Sequence, residues 1–567
     1  MESISNAKKQ PPASRERWDP ALLAAAVTEY EKRITEGKER TEAALGLGVP
    51  KSTLDKWLRH RQTIDFDPEI VAFFESPTGN EFLHRLVITL HVVMTQVGAC
   101  GVRMVCMVLE KTGLDRFVAA TQSSQNVFNR QIEERIVEYG KRQDAQLGAA
   151  MKRKVITVCQ DETFFDGICL VAIEPVSNFI LVEKKTQTRN HEDWNKAMDE
   201  SLKKFNVEVV QATSDEARAL IKHAEEHLGV HHSPDLFHIQ HEIIKFTSAP
   251  LAAAVRKAEG ELEKHNRLLA FIESETQAAN ESVRPRGRPV DFQSRLEVAR
   301  ENVEAANAVL EEVKGRREQM SNCIRRISEL YHPVSLKTGE LRTRSTLEGE
   351  LQACFSRAEE IARQASLSER SLRAINKSER LLPAMLDTIS FVHRTIISQL
   401  ATLGLDSKLE FQVRTKLFPS CYLRRIANMR NAEQAFPLED QAATIADEFL
   451  NTAETSFSLD EKKLRECQVL CDQLAHVFQR SSSCVEGRNG SLSLRHHSFK
   501  DISERKLAAL TTVANYVLTR EDETTAAERF FGRAPDDLFE TLFHDMRSLP
   551  RPYKVARDFS SERNQIN

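Results

Sequence analysis

Two apolar, β-branched runs in this chain end in adjacent carboxylates. VITVCQDE closes on Asp161 and Glu162, and VEVVQATSDE closes on Asp215 and Glu216. Strands usually stop at turn residues, so paired like charges there call for a reason. Carboxylates a few ångströms apart repel, and each drives its neighbour's pKa up unless a cation neutralises them. Oxygen donors of this kind suit Mg²⁺ or Mn²⁺. Two such ions can activate a nucleophile and stabilise a leaving oxygen, and the pair needs a third acid from elsewhere in the chain. SSSCVEGRNGSLSLRHHSFK (481–500) offers one. Glu486 is the only acid between Asp472 and Asp501, and Arg488, Asn489, Arg495 and two histidines beside it suit phosphate.

These acids can act together only if their elements meet. VITVCQDE, GICLVAIEP and NFILVEKKTQ are strand-like runs separated by FFDG and VSN. HEDWNKAMDESLKKF (191–205) reads as a helix capped by Asn190, residues 207–217 as a fourth strand, ARALIKHAEEHLG as a helix, and VHHSPDLFHIQ holds a short fifth strand. Three strands, helix, strand, helix, strand predicts a mixed five-stranded sheet covered by helices. Strands one and four can then lie side by side, with Asp161 and Asp215 beyond their carboxyl ends, where open sheets collect chemistry. Strand alternation sends Asp161 and Glu162 to opposite faces, so only one can enter the pocket. Their neighbours Val158 and Cys159 do not decide which. The partner at the end of strand four favours Asp161 as ligand and leaves Glu162 a structural part.

Seven regions separate by pattern. Residues 1–18 are a polar tail, expected to be disordered; 19–65 are a helix-turn-helix region; 66–150 are a helical domain. Residues 151–245 are the first part of the α/β core, 246–478 an all-α insertion, 479–546 the second part of the core, and 547–567 a tail. Within the insertion Val255, Leu262 and Leu269 fall seven apart, as do Leu296, Val303 and Leu310, with Ala299, Ala306, Val313 and Met320 as a second seam. Two heptad helices joined by ESVRPRGRPVDF predict an antiparallel hairpin with arms of roughly 40 Å. It is either a projecting arm or part of a bundle folded on the core.

Formal net charge is −4, so polyanion binding has to come from local patches. ERTEAALGLGVPKSTLDKWLRHRQ (39–62) supplies one: Ala44, Gly48, Val49, Leu54 and Trp57 take the apolar or tight positions of a helix-turn-helix. Lys51, Ser52, Thr53, Lys56 and Arg59 lie on the outer face of its second helix, with side chains suited to bases and phosphates. RPRGRP (284–289) is either an AT-hook core, with Arg286 and Arg288 for the minor groove, or a plain hairpin tip. CYLRRIANMR (421–430) is a weaker basic patch. The ten cysteines form no CxxC pair, which fits a reducing compartment; Cys467 and Cys471, one helical turn apart, read as packing. Residues 86–109 are apolar enough to suggest a membrane span but contain His91, Gln96, Gly98, Gly101 and Arg103, so two buried helices broken near the glycines are expected. The first residues lack the apolar core of a signal peptide. Six of the 17 histidines fall between His223 and His241; no cysteine or acid completes a zinc set at a typical spacing, so surface and phosphate-side roles are favoured.

A first strand ending in Asp161, a fourth ending in Asp215 and a late helix bearing Glu486 resemble the DDE transposases of bacterial insertion sequences, with their RNase H-like, integrase-like catalytic core. PDLFHIQHEI (234–243) is similar to the segment after the second aspartate in that family. CVEGRNGSLSLRHH is similar to the segment bearing the last glutamate, and ETTAAERFFGRAPDDLFETLF (523–543) to the end of many such cores. The resemblance covers about 154–245 and 480–545, with a long helical insertion between. It implies an RNase H-like α/β core interrupted by a large all-α insertion, with a helix-turn-helix in front. It further implies that Asp161, Asp215 and Glu486 are the catalytic, metal-binding residues for Mg²⁺ (or Mn²⁺), and that the chain cuts DNA at transposon ends. The freed 3′-OH then joins to target DNA, by two-metal phosphoryl transfer. Arg488 would touch DNA, and His238 would contact the scissile phosphate or simply pack. Double-stranded DNA is the expected partner, in a homodimer or larger synaptic assembly that is cytoplasmic, nucleoid-associated and free of membrane. Two other readings stay open: an inactive or domesticated transposase that only binds DNA, and another RNase H-like nuclease.

Overall fold

The β-branched runs form strands. The computed structural model describes residues 20–47, 49–59, 68–165, 167–281, 290–457, 461–499, 501–546 and 549–551. In it β1 (Lys154–Phe164), β2 (Ile168–Glu174), β3 (Phe179–Thr186), β4 (Val207–Ser214) and β5 (His231–Pro234) build one sheet in the order β3-β2-β1-β4-β5. β1, β2 and β3 pair antiparallel, while β4 and β5 run parallel to β1. The last β1–β4 pair is Cys159 with Thr213, so Asp161 and Asp215 each stand two residues beyond it. β1 continues past that point against β2, Asp161 opposite Val171 and Glu162 opposite Leu170.

The helices fall into four groups. Near the N-terminus α1 (Pro20–Thr35), α2 (Arg40–Ala44) and α3 (Lys51–Arg59) close on a small core of Val27, Tyr30, Ala43, Val49 and Leu54. Next come α4 (Pro68–Glu75), α5 (Pro77–His91), α6 (Val102–Lys111) and α7 (Gln122–Ala150). Ser76 caps α5, its hydroxyl accepting the Gly79 N–H at 3.1 Å. After a π-helical turn the chain breaks at Gly98–Gly101, where the sequence placed it, and no described helix is long and apolar enough to cross a membrane. The expected separate helical domain shares its core with the sheet: Phe128, Ile132 and Tyr139 of α7 pack with Ile156, Val158, Leu170 and Ala172. On this face α8 (His191–Leu202), capped by Asn190, contributes Trp194 and Met198. α9 (Arg218–Lys222) follows β4.

The all-α part begins earlier than its pattern suggests. α10 (Leu236–Glu281) starts one residue after Asp235 and runs unbroken through Pro250 for 46 residues, about 70 Å at 1.5 Å per residue. It returns as α11 (Phe292–Leu330), capped by Asp291. The proximal halves join the helices from α12 (Arg344–Gln364) to α18 (Glu461–Val477) in one large core running from Leu236 to Phe478. The distal halves form a two-helix arm with the predicted seam, Val255, Ala258 and Leu310 buried against Leu262 and Val313. Cys467 and Cys471 are buried in the large core.

The chain then returns to the sheet. α19 (Ser483–Phe499) and α20 (Glu504–Tyr516) cover the second face, where Val485, Leu492, Leu507 and Leu510 meet Cys159, Val171 and Ile173. α21 (Ala526–Phe531) and α22 (Leu538–Asp545) complete the first, with Phe530 stacked on Phe179 at 4.4 Å. Part of the expected tail is packed as well: the Ala119 N–H donates to the Pro550 carbonyl at 2.7 Å. Where α7 meets the loop after α8, a Cβ on Gly148 would stand 2.4 Å from the Lys204 carbonyl oxygen. Gly148→Val is therefore expected to lower stability by about 2–3 kcal/mol, read as a lower urea midpoint with the slope unchanged.

Candidate active site

Asp161 sits on the strand position that faces α19, and Glu162 on the other face. The Asp161 Oδ2 accepts the Asn489 side-chain N–H at 2.9 Å. Glu162 accepts from the Trp194 indole at 3.2 Å and from Arg189 at 3.3 Å. The alternation argument thus resolves: Glu162 anchors α8 and the loop before it, and Asp161 faces the site. Burial pushes the Asp161 carboxyl up to about 7, with Glu486 and Asp215 adding to the rise, against the Glu162 N–H and His238. Carboxylates from β1, the end of β4 and the first turn of α19 therefore act on one another. Asp215 is fixed by its own turn, Oδ1 accepting the Ala217 N–H at 3.1 Å.

His238, in the first turn of α10, lies in the field of all three acids. Its Nε2 is 3.8 Å from Glu486 Oε1, and its Nδ1 donates to Asp235 Oδ2 at 2.9 Å. The Asp235 hydrogen bond, outweighing burial and helped by Asp161 and Asp215, pushes His238 up to about 9, so the ring is cationic at neutral pH. Asp235 is 2% exposed. Burial alone would raise its pKa, but hydrogen bonds from His238, Ser482 and the Phe237 N–H hold it below its ordinary value.

The donor set fits a hard divalent ion: carboxylate oxygens, one of them on a buried group whose neighbours oppose its ionisation. Asp161, Asp215 and Glu486 are the residues that could hold it. Among the described residues no three His, Cys, Asp or Glu side chains already stand within reach of a single ion; the imidazolium of His238 provides positive charge among the acids.

Other predicted residues are placed as follows. Arg488 turns inward, with Nε and a terminal nitrogen on Glu183 at 2.7 and 2.6 Å and both side chains nearly inaccessible. Arg488 stands two residues after Glu486, a turn of about 200° along α19, which carries it from the side of the site to the sheet, so it is paired there and does not face outward as a DNA contact would. Lys51 and Ser52 are exposed at the start of α3 and Thr53 is half-buried. The side chains of Lys56, Trp57 and Arg59 lie outside the described residues, as do Gly48 and all of RPRGRP with Arg286 and Arg288. In CYLRRIANMR, Arg425 turns inward to the Ala475 and Phe478 carbonyls, leaving Arg424 and Arg430 exposed. The clustered histidines have non-metal partners: His223 on Asn195, His227 on Asp199, His231 on Thr388 and His232 on Ser214. Asp235 escaped the sequence reading as a site residue, and Asn489, read there only as a phosphate-side neighbour of Glu486, instead donates to Asp161. Asn489 follows Glu486 by three positions, one turn along the same helix face, a spacing that could have flagged it. Nothing local marks Asp235 beyond its place between strand and helix.

A family model described as a family of unknown function (DUF6399) matches residues 413–558, a segment that includes Glu486 and Asn489. No curated protein and no solved structure matches the chain.

Two measurements bear on the site's energetics. Removing Arg488 leaves Glu183 charged and buried, so Arg488→Ala is expected to cost about 3–5 kcal/mol, and the double variant Arg488→Met/Glu183→Leu to recover most of it in chemical unfolding. For Asp161 the folded pKa lies above the unfolded one. Its contribution to stability is thus full below the ordinary carboxyl pKa and is lost as pH rises toward 7. In chelator at pH 8, Asp161→Asn is expected to stabilise the fold by about 1–3 kcal/mol, and at pH 5 the gain shrinks; thermal unfolding at both pH values checks this.

Proposed function

We propose that this chain is a DDE-type transposase, a DNA-cutting and strand-joining enzyme with an RNase H-like core. One observation supports this reading above the others: Asp161 and Asp215 each stand two residues beyond the last pair of the adjacent parallel strands, and Glu486, from a distant part of the sequence, lies 3.8 Å from the His238 ring that both aspartates also favour as a cation. The order of strands and the helical body between the second and third acids support it. Asp161, Asp215 and Glu486 would hold Mg²⁺ or Mn²⁺, which when bound supplies activation of the attacking oxygen and neutralisation of charge at the phosphate.

The chain's own residues supply position and charge, which phosphoryl transfer needs more than a protein nucleophile. Asn489 ties α19 to β1, so acids on separate elements keep their register. Asp235 fixes the ring of His238 and sustains its positive charge, which suits a phosphate oxygen of the scissile strand. α1–α3 would read the transposon ends, with Lys51 and Ser52 outward at the head of α3. Synaptic assembly and a nucleoid-associated, cytoplasmic setting belong to the same proposal.

DNA carrying the element's ends, incubated with Mg²⁺, is expected to be cut and then joined to target DNA. Asp161→Asn, Asp215→Asn and Glu486→Gln each lower cleavage at least about 10³-fold with folding retained; full activity in any one of them removes that residue from the site. His238→Gln lowers the rate about 10–100-fold and weakens its dependence on pH near 9. A second reading is a DNA-binding descendant that no longer cuts, resting on α1–α3 with Lys51 and Ser52 outward at the head of α3. End binding without cleavage in Mg²⁺ or Mn²⁺ would select it, and cleavage without joining would select a nuclease.

A further inference from the structure

The α10–α11 arm has two flanks, and they differ in chemistry. Two interhelix ion pairs mark them: Glu273–Arg300 (3.6 Å) on one side of the seam and Glu275–Arg295 (3.3 Å) on the other. By heptad position, the Glu273–Arg300 flank carries Arg256, Glu263, Gln277, Glu297, Glu304 and Glu311 and no large apolar side chain. The Glu275–Arg295 flank carries Leu268, Phe271, Val298 and Val309, exposed by 47, 58, 53 and 51%. A solvated arm would have polar residues on both flanks; an apolar strip on one flank is the mark of a covered face.

The distribution along the strip indicates what covers it. The register set by the ion pairs puts Val298 level with Glu273 and Val309 level with Leu262, so the two valines stand about equally far on either side of Leu268, with Phe271 between Leu268 and Val298. A strip symmetric about its midpoint is complementary to itself reversed. We infer that this flank pairs with the same flank of a second copy of the chain, the arms lying antiparallel about a two-fold axis at Leu268. Leu268 then meets the partner's Leu268, and Val309 meets the partner's Val298. The ring of Phe271 takes the ammonium of the partner's Lys264, and Arg295 stands opposite the partner's Glu312. Lys264 and Glu312 are already steadied by Glu261 and Arg316 on their own helices. An arm about 40 Å long and two helices wide offers about 800 Å² per partner, the usual size of a specific interface. The contact is isologous and closes at two copies. It does not depend on the catalytic reading, because it forms without DNA.

The test is the mass of the full-length chain in solution without DNA, by light scattering and sedimentation. A dimer is expected at micromolar concentration. Leu268→Glu/Phe271→Glu raises its dissociation constant at least about 100-fold with helix content and unfolding midpoint unchanged, while Arg256→Glu on the opposite flank leaves it alone. Leu268→Cys gives a disulfide-linked dimer under mild oxidation, mapped to position 268 on both chains by mass spectrometry. A monomeric wild-type chain, a dimer indifferent to the 268/271 pair, or failure of position 268 to cross-link while the dimer persists each overturns the inference. Loss of cleavage in the acid variants with the dimer intact bears only on the catalytic proposal.

Discussion

A buried carboxylate bonded to a histidine ring holds the centre of this protein together. Asp235 receives the His238 ring and the Phe237 N–H from the start of α10, and the Ser482 hydroxyl from the approach to α19. Its own N–H reaches back to the Ser214 carbonyl at the end of β4, and the next N–H, of Leu236, donates to the Arg480 carbonyl. The ends of β4 and β5, the long helix and the returning chain therefore converge within two residues. An ionised side chain at such depth survives only because its hydrogen bonds include one from a cation. That requirement orients His238 and brings Glu486, four residues after Ser482, to within 3.8 Å of its ring.

The same dependence explains how a helical body of more than two hundred residues can sit between two acids of one site. The body is fastened at both ends of its excursion. At the entry, Thr388 bonds His231 at 3.0 Å, Ser378 donates to the Ile239 carbonyl and Gln240 to that of Ile324. At the exit, Thr157 of β1 donates to the Val477 carbonyl at 2.6 Å and Gln211 of β4 to that of Gln479. The two central strands themselves receive the returning chain, so Glu486 is set by sheet hydrogen bonds and not by the size of what precedes it.

Much of this was legible in the sequence where a pattern repeats or ends. Period-two runs located the five strands, Asn190 marked a helix start, and the heptads of 255–269 and 296–310 foretold a helical hairpin but not how much of it would project. Alternation put Asp161 and Glu162 on opposite faces, and the partner at the end of strand four chose between them. What was not legible depends on partners far away in the chain. Arg488 looks like a phosphate ligand by composition, and only the position of Glu183, three hundred residues earlier, turns it inward. Periodicity in 66–150 announces amphipathic helices but cannot say that their apolar face meets the sheet rather than each other. The start of the helical body, set at 246 by pattern, lies at Leu236, and α10 passes through Pro250, because packing on both sides outweighs one missing hydrogen bond. Asp235 resembles any acid near a turn until its three donors are seen.

The uninterrupted course of α10 makes it a lever. Its short end carries His238 among the acids, its middle is gripped by the helical body, and its far end lies some 70 Å away by helical rise. A tilt of 5° about the gripped segment would displace the far end by about 3 Å or more while moving the imidazole by less than about 1.5 Å. Because α10 is continuous from Leu236 to Glu281, torque applied at its far end is carried along the helix toward the ring. The fold thus gives the far end of α10 a mechanical hold on the His238 imidazole.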